Sequence, residues 1–163
     1  MYAVLMVCMG NICRSPTAEA VLRYQLQRAG LASQVRVDSA GTHSWHAGEP
    51  PDPRSIAAAA RRGYDLSTLR ARAVVAEDFQ RFDLILAMDP DNLQHLHHQF
   101  ANIDKPRAPL RLCLDYSTQF QGQAVPDPYY GGKAGFECVL DRLEDACTGL
   151  IGQLRLQLGL QKG

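Results

Sequence analysis

The chain lacks an excess of charge of either sign, a long hydrophobic run and a high aromatic content. Seventeen Lys and Arg residues balance seventeen Asp and Glu residues, and Phe, Trp and Tyr make up 7% of the 163 residues. Balanced charge argues against a nucleic acid or an anionic membrane as partner, since both require a basic surface. No apolar run reaches the length of a membrane span, and the first residues lack a signal-peptide pattern. We therefore expect a cytoplasmic protein with a single domain, residues 1–163.

The cysteine content also excludes one class of protein. Five cysteines are present, an odd number, and Cys8 and Cys13 lie in one short segment. Thiols are kept reduced in the cytoplasm, so the pattern favours thiol chemistry over a disulfide framework. The sequence shows no metal-ligand spacing, and the histidines at 95, 97 and 98 are more typical of a solvated helix face. We expect no metal.

Short apolar runs alternate with helical patterns along the chain. The predicted strands cover 4–7, 34–39, 82–88 and 110–114, and the predicted helices cover 16–29, 54–62, a segment from 89 and a long segment from 132. This alternation predicts an α/β fold with a parallel sheet that is covered by helices on both faces. Ligands of such sheets bind at the carboxyl ends of the strands. Cys8, Ser39 and Asp89 all lie at predicted carboxyl ends.

The segment CMGNICR at 8–14 connects the first predicted strand to a helix. Ser15 is suited to cap this helix, and Pro16 to occupy its first turn. Backbone N–H groups at a helix N-terminus favour an anion. Gly10 and Asn11 tolerate backbone conformations that other residues avoid, so the turn can direct several N–H groups inward. We therefore predict a phosphate-binding loop after the first strand.

Cys8 and Arg14 provide the chemistry of this loop. Helix N-termini and nearby cations lower the pKa of a thiol from ~8.5 to roughly 3.5–7.5, so we expect a Cys8 thiolate, with Ser15 donating a hydrogen bond to it. The guanidinium of Arg14 offers a bidentate fork for a phosphoryl group. Cleavage of a phosphate ester also requires a general acid on the side opposite the sulfur. Asp127 is a candidate, although the Asp-Pro pairs at 52–53, 89–90 and 127–128 are also typical of plain turns.

The sequence VCMGNICRSPTAEA at 7–20 resembles the signature of the low-molecular-weight protein tyrosine phosphatases, and DSAGT at 38–42 and DPYY at 127–130 resemble its usual companions. The resemblance extends over essentially the whole chain. It implies a four-stranded parallel sheet, no cofactor, and hydrolysis of protein phosphotyrosine through a phosphocysteine. It further implies tyrosine-phosphorylated proteins as partners and, for a bacterial member, a tyrosine kinase of polysaccharide export.

The residue chemistry and the resemblance together predict three groups of site residues. The catalytic residues are Cys8, Arg14 and Asp127; the phosphate and substrate contacts are Met9, Gly10, Asn11, Ile12, Cys13 and Ser15; and the supporting residues are Ser39, Trp45, Asp89, Tyr129 and Tyr130. The aromatic members of the last group would form the walls of a cleft that favours a flat aryl phosphate, or would simply be packed.

One position departs from the family pattern. Many family members carry a histidine before an Ala-Arg pair, bonded to the brace that Asn11 and Ser39 form, whereas STLRAR at 67–72 has Leu69 or Arg70 there. A weaker brace is therefore expected.

For Cys13, the resemblance implies a reversible disulfide with Cys8 that protects the nucleophile. The alternative is a small buried side chain.

Two other functions fit the same loop. Arsenate reductases share the fold and a similar Cys-x5-Arg-Ser turn, but they need further cysteines, and the chain has none at 87–100. Cys138 and Cys147 are nine residues apart on a predicted helix and therefore point to opposite faces. A phosphotyrosine-binding or phosphocarrier module is a third possibility, which would need no general acid and would not turn over.

Overall fold

The four predicted strands form one parallel sheet in the computed structural model, which describes residues 1–129 and 131–159. They are β1 (Tyr2–Cys8), β2 (Val35–Gly41), β3 (Leu84–Ala87) and β4 (Leu110–Leu112). Their order in the sheet is β2-β1-β3-β4, and every neighbouring pair is parallel. The predicted α/β fold class is confirmed.

Five α-helices of the described residues accompany the sheet. They are α1 (Arg14–Arg28), α2 (Pro53–Ala60), α3 (Asp78–Arg81), α4 (Pro90–Gln99) and α5 (Lys133–Leu158). The single-turn α3 was not predicted, because four residues are too few to show a helical period. Cys113 was expected in a strand but begins a 3-10 helix, Cys113–Tyr116. Over the described ranges, no helix combines the length and apolar character needed to cross a bilayer.

Strand β1 forms the centre of the core, because both of its faces are buried. Val4 and Met6 join a cluster that includes residues of α1 and α5, whereas Leu5 and Val7 join a second cluster with residues of α3 and α4. Burial on both faces is typical of parallel strands and explains why the run reads as continuously apolar. Each fully buried aliphatic side chain contributes about 1.5–3 kcal/mol to folding.

The strand order places a crevice at the carboxyl end of β1. From β1 the chain moves to β2 on one side, and β3 pairs on the other side. Connections that leave neighbouring strands in opposite directions open such a crevice, which is the usual ligand site of open parallel sheets. Cys8 ends β1, and Asp89 follows β3 as the N-cap of α4.

The start of α1 differs from the prediction. Ser15 was expected as the N-cap, but the helix already begins at Arg14, and the N-cap is Cys13, which makes no side-chain cap bond. The reason is that the Ser15 hydroxyl has other partners, the sulfur of Cys8 and the amide of Asn11. By contrast, Asp52 and Asp89 do cap α2 and α4, each with proline following.

Gly41, at the end of β2, lets the segment after β1 pass close to the sheet. A Cβ atom at this position would lie 2.7 Å from the Met9 carbonyl oxygen and 3.0 Å from that of His43. We expect Gly41→Ala to lower the free energy of unfolding by about 1–3 kcal/mol, because backbone has to move. Urea unfolding followed by circular dichroism measures this change.

The matched control is Gly152→Ala in α5, where an added Cβ meets nothing within 4 Å. Alanine in a helix interior is favoured over glycine by roughly 0.5–1 kcal/mol, so this variant should be more stable than the wild type. Equal stability of Gly41→Ala and the wild type would show that the close approach is not a constraint.

Candidate active site

A cavity of about 420 Å³ opens at the carboxyl end of β1. It brings together most of the residues predicted for the site, from the segment after β1 and from two long loops. The lining residues are Cys8, Met9, Gly10, Ile12, Cys13, Arg14, Trp45, His46, Asp127 and Tyr129. The predicted residues Asn11, Ser15, Ser39 and Asp89 are not among them and act from behind the cavity wall.

The backbone of the loop 8–14 turns at Asn11, which has a φ of 57°. Asparagine tolerates this left-handed conformation better than most other residues. Gly10 was expected to supply unusual backbone angles, but its φ is not positive. Its role is steric, since a Cβ at this position would lie 3.0 Å from Cδ2 of His46. His46 is therefore a cavity residue that the sequence analysis missed.

The loop points carbonyl groups away from the cavity. The carbonyl oxygens of Cys8, Met9 and Ile12 accept hydrogen bonds from the backbone N–H groups of residues 42, 43 and 52 at 2.8–3.1 Å. Within the described ranges, no group accepts a hydrogen bond from the backbone N–H groups of residues 9–13. Amides that are not used internally at a helix N-terminus are the donors that bind phosphate oxygens.

The sulfur of Cys8 lies at the base of this loop, and the residue is 3% exposed. The Ser15 hydroxyl is 3.0 Å from Sγ, and the Ser15 backbone N–H donates to Sγ at 3.4 Å. Asn11 Nδ2 donates to Ser15 Oγ at 2.8 Å and to Ser39 Oγ at 3.0 Å. Because Ser15 Oγ accepts from Asn11, its own proton is available for the sulfur at 3.0 Å, and the Ala40 carbonyl oxygen, at 3.4 Å, is the other acceptor within reach.

The brace behind the loop is complete without the histidine of the family pattern. Leu69 packs against the apolar core, and among the residues that the structure describes Arg70 bonds only to nearby carbonyl oxygens. Asn11 Oδ1 instead accepts a hydrogen bond from the backbone N–H of Arg72 at 3.0 Å. The backbone N–H of Arg72 thus supplies a hydrogen bond to the Asn11 amide, where the missing histidine was expected to leave the brace weaker.

Glu19 is a second residue that the sequence analysis missed. The Ser39 hydroxyl donates to its carboxylate at 2.7 Å, and Arg23 forms an ion pair with it at 2.5 Å. Burial raises the pKa of Glu19 above its usual value, and the contacts with Ser39 and Arg23 only partly oppose this effect. A signal was present, because a glutamate between two alanines on the buried start of α1 requires a polar partner.

Arg14 combines burial with several partners. Its Nη1 lies 2.5 Å from Asp89 Oδ2 and 3.1 Å from the Val125 carbonyl oxygen, and its Nη2 lies 3.8 Å from Asp127 Oδ2. Burial opposes the charge, but the nearby Cys8 sulfur and the Asp89 carboxylate outweigh it, so the pKa of Arg14 is raised. The guanidinium is thus charged and fixed in direction.

The three Asp-Pro pairs have different roles in the structure. Asp52 caps α2, and Asp89 both caps α4 and binds Arg14. Only Asp127 lines the cavity, where its side chain is 41% exposed and its Oδ1 accepts the N–H of Tyr129. Of the three carboxyl groups, it is therefore the one that a group bound in the cavity can contact.

Aromatic side chains form part of the cavity rim. Trp45 is 67% exposed and stacks on His43 with ring centroids 4.2 Å apart, and His43 in turn contacts His95 at 4.7 Å. Tyr129 also lines the cavity. Tyr130, predicted to have the same role, lies outside the described residues. No three His, Cys, Asp or Glu side chains of the described chain are grouped closely enough to hold a metal ion.

Cys13 also lines the cavity, as a buried side chain. Burial raises the pKa of its thiol to about 12. All five cysteines are free thiols in the structure. The reversible disulfide between Cys8 and Cys13 stays a prediction.

The raised pKa of Glu19 gives stability a defined dependence on pH. A carboxyl with a raised folded-state pKa contributes most below its unfolded pKa of ~4.3, and this contribution is lost as the pH rises through the folded value. Glutamine cannot titrate. We therefore expect the stability of Glu19→Gln relative to the wild type to increase between about pH 4.5 and 7. Urea unfolding across this pH range measures the difference in stability, and Glu77→Gln, at an exposed residue, is the control. A difference in stability that does not change with pH would contradict the raised pKa of Glu19.

Comparison with known proteins identifies the family. Residues 3–160 match the family model described as low molecular weight phosphotyrosine protein phosphatase. The low molecular weight protein-tyrosine-phosphatase of Streptomyces coelicolor is 45% identical over 96% of this chain and 96% of its own length.

Solved structures agree in fold. A protein tyrosine phosphatase from Entamoeba histolytica, crystallised with Hepes in the active site, is 41% identical with a TM-score of 0.86 and covers 98% of this chain and 99% of its own. A Drosophila arginine phosphatase is 32% identical with a TM-score of 0.87, covering 93% and 97%. With a match that runs through the loop, the brace and the late carboxyl alike, this chain belongs to the low molecular weight phosphotyrosine protein phosphatase family.

Proposed function

We propose that the protein hydrolyses phosphotyrosine in proteins, with Cys8 as nucleophile, Arg14 as phosphoryl-binding residue and Asp127 as proton donor and acceptor. The observation that carries the proposal is that these three side chains line one cavity, with Asp127 Oδ2 3.8 Å from Nη2 of Arg14. They come from the end of β1, the start of α1 and the loop before α5.

The first step transfers the phosphoryl group to the enzyme. The Cys8 thiolate attacks phosphorus, so an S–P bond forms while the bond from phosphorus to the tyrosyl oxygen breaks. The carboxyl group of Asp127 gives its proton to this oxygen, and tyrosine leaves as a neutral phenol. Arg14 and the loop amides bind the equatorial oxygens, where charge spreads in the loose transition state of phosphoryl transfer.

The second step regenerates the enzyme. The Asp127 carboxylate accepts a proton from a water molecule, whose oxygen attacks phosphorus while the S–P bond breaks. Inorganic phosphate leaves, and Cys8 is again a thiolate next to Ser15. The same carboxyl thus serves as acid and then as base, as microscopic reversibility allows for two steps with the same geometry.

The depth of the cavity supports an aryl phosphate as substrate. Cys8 is 3% exposed at its base, and Trp45 and Tyr129 stand at its mouth. A phosphoserine would hold phosphorus too near its peptide backbone to reach the sulfur, whereas a tyrosyl ring spans the depth and fits between aromatic walls. The substrates would be tyrosine-phosphorylated proteins, in a bacterial cell a tyrosine kinase of polysaccharide export among them.

We place this activity in the cytoplasm, because the nucleophile has to stay reduced. The five free thiols of the chain fit a reducing compartment.

Arsenate reduction is not favoured by the family match. The geometry argues against it as well, since only Cys8 and Cys13 bring thiols to the cavity lining. Cys113 and Cys147 are buried elsewhere, and the sulfur of Cys138 contacts Arg142.

The proton donor can be tested by its dependence on the leaving group. We expect Asp127→Asn to lower kcat by about 10²–10⁴-fold on a phosphotyrosine peptide. The loss should be smaller on p-nitrophenyl phosphate, because p-nitrophenolate leaves without a proton. Steady-state kinetics on both substrates measure the two losses.

Cys8→Ser should abolish turnover of both substrates, and Cys138→Ser, a half-buried cysteine away from the cavity, is the matched control. Turnover by Cys8→Ser would refute the mechanism. Equal losses on the two substrates in Asp127→Asn would mean that the proton comes from another group.

The choice among related functions needs a parallel assay. We expect the wild-type protein to release phosphate from a phosphotyrosine peptide in many turnovers, and to show no thioredoxin-dependent arsenate reduction. Phosphoarginine is the third compound to assay, because an arginine phosphatase is among the related structures. A single turnover would indicate a phosphocarrier, and faster hydrolysis of phosphoarginine would overturn the proposed substrate class.

A further inference from the structure

A second pocket lies beside the catalytic cavity, between α2 and the start of α5. Its volume is about 320 Å³. Three cationic side chains line it, Arg54, Arg61 and Lys133, and Ala57 and Phe136 provide an apolar surface. None of these residues belongs to the site described above.

One side chain separates the two pockets. The Cζ atom of Arg54 lies 5.3 Å from the ring centroid of Tyr129, which lines the catalytic cavity, and 5.0 Å from that of Phe136, which lines the second pocket. Arg54 is held in this place by Asp52, which accepts hydrogen bonds from Nε and Nη2 at 3.0 and 2.9 Å. A group bound in the second pocket would therefore lie close to a phosphotyrosine bound in the first.

The charge that remains at this pocket is positive. Asp52 compensates Arg54, but Lys133 forms no hydrogen bond or ion pair with any residue that the structure describes. Among the described residues Arg61 pairs only with Glu137, at 3.4 Å; Glu137 also pairs with Arg62 at 2.5 Å, and Arg62 is shared with Asp141 and Glu144. The uncompensated charge at the pocket is therefore that of Lys133. The first turn of α5 contains no acidic residue. The apolar surface of Phe136 suits the stem of an acidic side chain.

We propose that this pocket binds a second anionic group of the substrate, a carboxylate or a phosphate that flanks the phosphotyrosine in the same peptide. This inference rests on the proposed phosphotyrosine phosphatase function and adds a preference for acidic or multiply phosphorylated segments. The rings of Tyr129 and Phe136 lie 5.3 and 5.0 Å from the same Cζ atom of Arg54. An extended peptide rises about 3.3–3.6 Å per residue, so four residues reach farther than these two distances together.

The experiment compares phosphotyrosine peptides that differ in one flanking residue. One series carries a single glutamate at each position from four before to four after the phosphotyrosine, with alanine elsewhere. A second series carries phosphoserine at the same positions, and an all-alanine peptide is the reference. We expect kcat/KM to rise roughly fivefold at one or two adjacent positions at low salt. The two series show whether the pocket takes carboxylate, phosphate or both.

Two variants assign the preference to the pocket. Lys133→Gln and Arg61→Gln should each reduce the ratio of kcat/KM between the preferred and the reference peptide, and together should bring it close to one. Arg81→Gln, which removes an exposed cation of α3, should keep the wild-type ratio. Raising the ionic strength from 0.05 to 0.5 M should also reduce the ratio, because charges at the surface are screened.

Failure of this inference is distinct from failure of the proposed function. Equal rates on acidic and reference peptides would overturn the subsite while the phosphatase activity stands. A preference that survives in the double variant, or that is lost equally in Arg81→Gln, would also overturn it. If the wild type hydrolyses neither the reference peptide nor p-nitrophenyl phosphate, the proposed function itself is wrong.

Discussion

Arg14 brings a positive charge into the protein interior at the carboxyl end of β1, where its side chain is only 2% exposed. A buried ion has to be paired, and removing one partner of such a pair costs about 3–5 kcal/mol. The partners of Arg14 come from two distant parts of the chain, Asp89 after β3 and the carbonyl group of Val125. Because the N–H of Val125 also bonds to Met88, the late loop is fastened to the sheet two residues before Asp127. The requirement to pair one guanidinium thus sets the position of Asp127 relative to Cys8.

A second constraint acts behind the nucleophile. The Asn11 amide connects Ser15, Ser39 and the backbone of Arg72, and through Ser39 the connection reaches the buried Glu19. In this arrangement each donor has an acceptor, which keeps a network of buried polar groups from being costly. The loop keeps its shape because it is bonded on its outer side, by carbonyl groups and by the Asn11 side chain. Its inner side keeps N–H groups without a protein acceptor among the described residues, and this division between the two sides fits the proposed phosphate site.

Several elements could be predicted because their signals are local. The apolar run before Cys8, the start of a helix near Asp89 and the long helix α5 each follow from a few neighbouring residues. The predicted start of α1 was wrong. The sequence suggested Ser15 as the N-cap, whereas in the structure the helix begins at Arg14 and the Ser15 hydroxyl contacts the Cys8 sulfur. Glu19, Gly41 and His46 were missed for a related reason. Each acts through a contact with a residue far away in sequence, or through a clash that only the folded backbone creates.

The sequence by itself determined the fold class, the phosphate loop with its cysteine and arginine, and the list of carboxyl candidates. These properties depend on residue type and short-range spacing, which hydrophobic periodicity and backbone preference express directly. The tertiary structure decided which of three Asp-Pro carboxyls reaches the cavity, how the loop is braced without a histidine, and that a second basic pocket lies behind Arg54. These facts depend on contacts between segments that are far apart in the sequence. Arg14 and Val125, for example, are 111 residues apart. Such contacts are set by the packing of the whole core, which no local sequence pattern predicts.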